Sequence, residues 1–230
     1  MPNLQKLSLD FDADAVLRGQ GADPRVIRTR RPALAQLAEK ALKEALPLLE
    51  PKVIYNEFVV QGVIHDRLIL ENGEQLKGKL IVEHLAQARK VYILLCTIGS
   101  SIEQYASDVW DSSATYSLAL EGVGSAAVEA LANAACRYFE ISAQEQGWQT
   151  SIPLSPGMID WPVEEGQPQI FRLLERENIL VELSPSFIMM PRKSLTMVVG
   201  AGPALSASGR ACEYCNLRDV CRYQDHYQLS

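Results

Sequence analysis

The sequence has little of what marks nucleic-acid and membrane proteins. No run of lysine or arginine is longer than Arg30-Arg31, and the formal net charge is −6 with a pI near 5.2. Neutralising a phosphate backbone needs clustered positive charge, so no nucleic acid is expected as a partner. No apolar stretch approaches the ~20 residues a helix needs to cross a bilayer, and no membrane association is expected. The opening Met-Pro-Asn-Leu-Gln-Lys carries no charged-then-apolar leader pattern, so the expected location is cytoplasmic.

Familiar catalytic signatures are scarce as well. There are only three histidines. His65 lies beside a strand edge and His84 within a short helix, where a solvated or satisfied imidazole is the plainer reading. Gly122-Val-Gly124 lacks the third glycine and the preceding strand of a dinucleotide fingerprint, and neither a Walker-type lysine loop nor a G-x-S-x-G elbow occurs. Asp10, Asp12 and Asp14 lack the glycine and terminal glutamate of a calcium loop, and read better as charge at a helix N-terminus.

What is present is an ordinary globular composition: 230 residues, 47% hydrophobic and 22% charged, enough to bury a sizeable core. The pattern predicts a short helix over residues 10–19 ending at Gly19. A second helix runs from Pro32, with Leu34, Leu37, Ala38, Ala41, Leu42 and Ala45 at helical spacing. Val53 to Val60 and Arg67 to Glu71 predict antiparallel strands, with Asn72-Gly73 as a hairpin turn. After a short helix from Leu80 to Ala88, Lys90 to Ile98 reads as a strand buried on both faces. Helices are then expected to Val109 and from about Ser112 to Gln146.

The second of these helices is rich in glycine, alanine and serine from Gly122 to Ala135, which allows close approach of another backbone or a flat ligand. Tight packing against the sheet is the favoured reading. Pro168 is expected at the first position of one more helix, with strands over 179–183 and 194–200. Met189-Met190-Pro191 should form a thioether-rich connection between those strands, and 201–211 a small-residue linker. The expected organisation is a domain over residues 1–205 and a cysteine-rich tail over 206–230.

Two stretches can carry chemistry. Ser155-Pro156-Gly157-Met158-Ile159-Asp160-Trp161-Pro162 contains a type II turn signal, because proline presets φ and glycine supplies the positive φ that follows. It holds an aromatic ring beside a carboxylate on a stiff loop, an arrangement suited to a pocket wall. The plain alternative is that Trp161 only packs. In the tail, Cys212, Cys215 and Cys221 follow C-x2-C-x5-C, a spacing that puts two thiolates across one turn. In a reducing compartment that cluster predicts metal rather than disulfide. An iron–sulfur cluster or zinc fits, but both want four ligands. His226 can complete a zinc site; Cys96, a partner chain or a small molecule can complete a cluster, or leave one iron open.

Pro153 to Gly200 resembles the reactivation domain of cobalamin-dependent methionine synthase, and residues 10–200 resemble free-standing members of that family. The resemblance rests on Ser155-Pro156-Gly157 with Asp160-Trp161-Pro162, on Gln167 and Phe171-x-Leu-Leu174, and on Leu183-Ser184 followed by Phe187, Met189, Pro191 and Ser194. Thr97-Ile98-Gly99 and Gly124-Ser125-Ala126-Ala127-x-Glu129 add to it. It implies an α+β fold, a twisted and largely antiparallel sheet with flanking helices, docking on a corrinoid or methionine synthase partner that carries cobalamin.

The resemblance also implies a ligand site at Ser155, Pro156, Gly157, Met158, Asp160 and Trp161, where the family binds S-adenosylmethionine during reductive methylation of cobalamin. Two departures stand out. The family's arginine before Pro-Gly is Pro153 here, and its tyrosine just after is Met158. Without the arginine's forked donor for a carboxylate, S-adenosylmethionine is not expected to bind in the standard mode. The expected role is then a stand-alone activation-domain-like protein supporting reductive reactivation, through a cluster held by the tail. The alternative is a non-catalytic partner module with a structural zinc or a vacant tail.

Overall fold

The computed structural model describes Leu4 and residues 7–174, 181–205 and 209–221. Helix α1 (Ala13–Gly19) starts where Asp12 accepts a 2.9 Å hydrogen bond from the Ala15 amide, and Asp14 pairs with Arg28 at 2.6 Å. The acidic cluster is therefore helix-terminal charge. An unanticipated helix, α2 (Pro24–Arg30), follows, capped by Asp23 with proline in its first turn. In α3 (Pro32–Ala45) the alanines Ala35, Ala38, Ala41 and Ala45 are buried, and Leu37 and Leu42 flank them partly covered. Small inward residues let α3 lie close against its neighbours.

Strands β1 (Lys52–Ile64), β2 (Arg67–Leu70), β3 (Gln75–Lys77), β4 (Lys90–Thr97), β5 (Gln149–Thr150) and β8 (Ser194–Gly202) form one sheet, in the order β3-β2-β1-β4-β8-β5. Every pair is antiparallel, and the sheet is curled like a half-barrel. The β1–β2 turn sits at His65, with φ of +54°, while Asn72-Gly73 closes β2–β3 as its sequence predicts. A register shift between Val60 and Gly62 lets β1 run on well past the predicted stretch.

Alternation on the central pair builds two cores. Tyr92, Leu94 and Cys96 of β4 join Met197 and Val199 of β8 on one face, under α1, α3, α5 (Ser101–Asp108) and α6 (Ala114–Gln144). Val91, Ile93, Leu95 and Val198 face the other way, toward α4 (Lys79–Leu85) and α7 (Val163–Leu174). This is the α+β architecture expected, with β4 buried on both faces.

Within the 31-residue α6, glycine serves helix–helix contact as well as packing on the sheet. A Cβ on Gly122 would stand 2.7 Å from the Val16 carbonyl oxygen of α1, and one on Gly19 would stand 2.7 Å from the Gly122 carbonyl oxygen. No side chain fits between these backbones.

Four expectations need correction. Pro168 lies inside α7, which begins at Val163; the Gln169 side chain donates to the Glu165 carbonyl at 2.9 Å, supporting the turn that the proline weakens. Of the 179–183 strand, residues 179 and 180 lie outside the described residues, and Glu182–Leu183 (β6) pairs with Met189–Met190 (β7) in a separate ribbon. Met189 and Met190 are thus strand residues, not a connection. The 201–211 linker is shorter than predicted, because Ala201 and Gly202 finish β8 and Ala211–Tyr214 forms a 3-10 turn; 206–208 lie outside the described residues. Among the described residues no helix is long and apolar enough to cross a membrane.

Replacing Gly122 by alanine should cost about 1–3 kcal/mol, the usual range for overpacking a tight contact. Gly62→Ala, which meets open space, should change little. Urea unfolding of both variants checks the contrast.

Candidate functional site

The segment before the proline loop is held by the sheet: Leu154 and Val198 exchange backbone hydrogen bonds of 2.9 and 2.8 Å. The chain then makes the turn its sequence predicts, with the Met158 amide donating to the Ser155 carbonyl at 3.2 Å and Gly157 at φ +99°. A second turn closes on it. Trp161 N–H donates to the Met158 carbonyl at 3.1 Å, Gly157 N–H donates to the Trp161 carbonyl at 2.8 Å, and Asp160 adopts φ of +57°.

Trp161 secures this double turn. Its side chain is fully buried, and a Cβ on Gly166 would stand 2.9 Å from the indole, so α7 must present glycine there. Gly78, at the start of α4, is nearly as close at 3.2 Å. Among the described residues the indole Nε1 has no hydrogen-bond partner. Such an orphaned donor is costly, and the ring's packing must outweigh it.

The tail clasps the outside of the same loop. Met158 bridges both to Trp161 within the loop and to Cys215 of the tail. Ile159 N–H donates to the Tyr214 carbonyl at 2.8 Å, and the Asn216 side chain donates to the Gly157 carbonyl at 2.9 Å. Tyr214 meets His84 of α4 edge-to-face at 4.6 Å. Burial lowers the His84 pKa from its ordinary 6.5, with Glu83 opposing more weakly.

Between loop, sheet, α6 and tail lies a cleft of about 200 Å³. The loop contributes Ser155 and Met158, and β8 contributes Met197. Helix α6 contributes Glu129, Ala132, Asn133 and Cys136 at i, i+3, i+4 and i+7, one face of the helix. The tail contributes Cys212, Cys215 and Cys221 together with Arg218.

The two sequence-predicted sites therefore share one cleft. Pro156 and Gly157 shape the turn without facing it. Asp160 points outward, with Lys79 at 4.0 Å, and the Trp161 ring belongs to the core rather than to the cleft wall. Among the described residues, no three His, Cys, Asp or Glu side chains are grouped so as to hold a metal ion. His226 lies outside the described residues. Cys96 is fully buried on β4, where desolvation pushes its thiol well above the ordinary value, and it does not line the cleft.

Several family-like residues have structural duties. Thr196 donates to the Gln167 side-chain oxygen at 2.9 Å, and Ser194 donates to Thr97 at 2.9 Å, satisfying buried polar groups on the sheet. Lys193 extends along Gly124, where a Cβ would stand 3.0 Å from its methylenes, and reaches Ser125 at 3.1 Å and Glu121 at 2.7 Å. Sequence reasoning overlooked Cys136, Asn133 and Arg218. The i, i+3, i+4, i+7 spacing on α6 was a readable signal for the first two; nothing in the sequence pointed Arg218 back to this loop.

A scan of protein-family models returns no match, and a search of curated proteins returns none. Among solved structures, the MetH reactivation domain bound to AdoHcy is similar with a TM-score of 0.59 and 14% sequence identity, covering 90% of this chain and 82% of that one. At that identity the likeness establishes the fold: an α+β reactivation-domain architecture.

Trp161→Ala should destabilise the chain by about 3–5 kcal/mol, the range for emptying a large aromatic site, seen as a lowered midpoint in denaturant. For His84 the depressed folded pKa fixes the sign: its contribution is complete above about pH 6.5 and is lost as pH falls through and below that value. Because loss of thiolate slows every thiol on acidification, labelling of Cys215 is expressed relative to a free cysteine peptide at the same pH; that ratio should rise as pH falls and the Tyr214 contact loosens. His84→Phe should flatten that pH dependence.

Proposed function

We propose that this chain is a reactivation-domain-like protein that docks on a cobalamin-carrying methyltransferase of the methionine synthase type and supports its reductive reactivation, in the cytoplasm. The observation that carries the reading is the shared cleft: the proline loop, one face of α6 and all three tail cysteines meet around the same small volume. The fold likeness supports the partner class, and the cysteine tail supports the redox role.

In this reading the domain over 1–205 presents the loop and the tail over 206–230 holds an iron–sulfur cluster. Cys212, Cys215 and Cys221 are the ligands on the tail. When loaded, such a cluster supplies one electron, drawn from a low-potential protein donor, to convert cob(II)alamin on the partner to cob(I)alamin; cysteine-ligated clusters reach the potentials this needs. The Ile159 N–H bond to the Tyr214 carbonyl and the Asn216 side-chain bond to the Gly157 carbonyl hold the tail against the loop, so in this reading the electron source rides on the docking loop.

The cleft also bears on S-adenosylmethionine. With the tail docked, about 200 Å³ falls short of the ~300–1,000 Å³ typical of pockets for drug-sized ligands. A compact inorganic guest suits it better than a nucleoside. Arg218 does return a guanidinium to the loop whose position 153 is proline. An adenosyl ligand of the kind held by the solved neighbour would therefore have to move the tail and take its carboxylate to Arg218.

A second reading is a docking module with a structural zinc or a vacant tail. It is favoured by the absence, among the described residues, of a gathered metal-ligand group. Anaerobic purification with iron, sulfide and zinc analysis, followed by mixing with a cob(II)alamin-loaded methyltransferase and a reduced low-potential donor, separates the two. The redox role predicts a brown protein and growth of the cob(I)alamin spectrum. A colourless, iron-free protein that shifts cobalt coordination without reducing it establishes the docking module instead.

A further inference from the structure

The tail offers three thiols, one short of the set that a closed iron–sulfur or structural zinc site requires. Of the two cysteines outside the tail, Cys96 is away from the cleft and Cys136 lines it. We infer that Cys136 of α6 is the fourth thiolate of the metal centre proposed for the tail; the inference rests on that reading of the tail and gives its ligand set.

Three observations converge on Cys136. It lines the cleft while being only 2% exposed. Its Sγ lies 3.4 Å from Met197 Sδ, and Met158 brings a second thioether to the same wall. Six sulfur-bearing side chains, Cys136, Met158, Met197, Cys212, Cys215 and Cys221, thus surround about 200 Å³. Soft, weakly hydrated ligands of this kind select iron–sulfur clusters or zinc over hard oxygen-seeking cations.

The position on α6 matters as much as the element. Cys136 belongs to a 31-residue helix held by close backbone contact with α1, whereas the tail thiols sit on a 3-10 turn and the turns that follow it. Among the described residues no three such ligands are gathered, so loading must draw the tail inward onto a fixed thiol. Metal binding commonly supplies the free energy for such ordering, and it releases the ligand thiols' protons to solvent.

The plain alternative is that Cys136 only fills the helix–sheet interface beside Met197. The two differ in consequence. A site closed by four thiolates has no open coordination position and acts as an electron relay or a structural clamp. A three-thiolate site leaves a position for an external ligand.

The test compares the full chain with Cys136→Ala and Cys96→Ala, each reconstituted anaerobically with iron and sulfide and, separately, with zinc. Metal content, Mössbauer or sulfur-coordination spectra, and resistance to a chelator are recorded, with circular dichroism of the metal-free proteins to confirm folding. Cys136→Ala should lose chelator resistance by more than the ~10-fold that even an outer-shell change typically costs, and its sulfur coordination should fall from four to three. Cys96→Ala should match the parent. If the parent binds metal and Cys136→Ala keeps its stoichiometry, spectrum and chelator resistance, the fourth-ligand assignment is overturned alone. If the folded parent binds neither iron nor zinc, the metal-tail reading falls and takes this assignment with it. If Cys136→Ala does not fold metal-free, Cys136→Ser is substituted and judged by the same sulfur count.

Discussion

Strand β4 presents apolar side chains on both faces, and burying both is the constraint from which the architecture follows. One covering layer would leave either Tyr92, Leu94 and Cys96 or Val91, Ile93 and Leu95 in water. At roughly 25 cal/mol per Å² of apolar surface, exposing either set would be prohibitive for a marginally stable chain. The protein answers with α6 and the N-terminal helices on one side and α4 and α7 on the other. Antiparallel pairing of β8 with β4 doubles each apolar face. It also puts Met197 on the α6 side and Val198, which bonds the segment leading into the proline loop, on the opposite side.

Much of this is legible in the sequence. The uninterrupted apolar run from Val91 to Ile98 announced a strand covered twice, Asn72-Gly73 announced its hairpin, and Pro156-Gly157 announced its turn. Each is a local signal whose physics is contained in a few consecutive residues. What could not be read depended on pairing across long separations. The weak β6–β7 ribbon is two residues per strand, too short for periodicity to register. Helix α2 was marked by Asp23-Pro24 but stands only seven residues long. Pro168 is tolerated inside α7 because the start of that helix is fixed by Pro162 and by the indole beneath Gly166.

The site was half legible for the same reason. The loop and the C-x2-C-x5-C spacing were each visible, but their meeting was not, because it rests on Met158 pairing with Cys215 across 57 positions. Trp161 shows how an aromatic residue on a motif loop can mislead. Its place in the motif suggested a pocket wall, whereas its full burial makes it the peg that holds the wall in place. The resemblance is carried largely by residues that keep the fold, such as Gln167, Ser194 and Trp161, and less by groups that face the cleft.

The clasp between Gly157, Ile159 and the tail has a further consequence in terms of mass action. The tail belongs to the same chain as the loop, so it competes for the loop at an effective concentration on the order of millimolar. A free molecule that needs the same backbone groups meets an occupant already present, and at micromolar levels it loses. The loop's apparent affinity for outsiders is thereby set from within the chain: whatever tightens or frees the tail changes that affinity without altering a single atom of the loop.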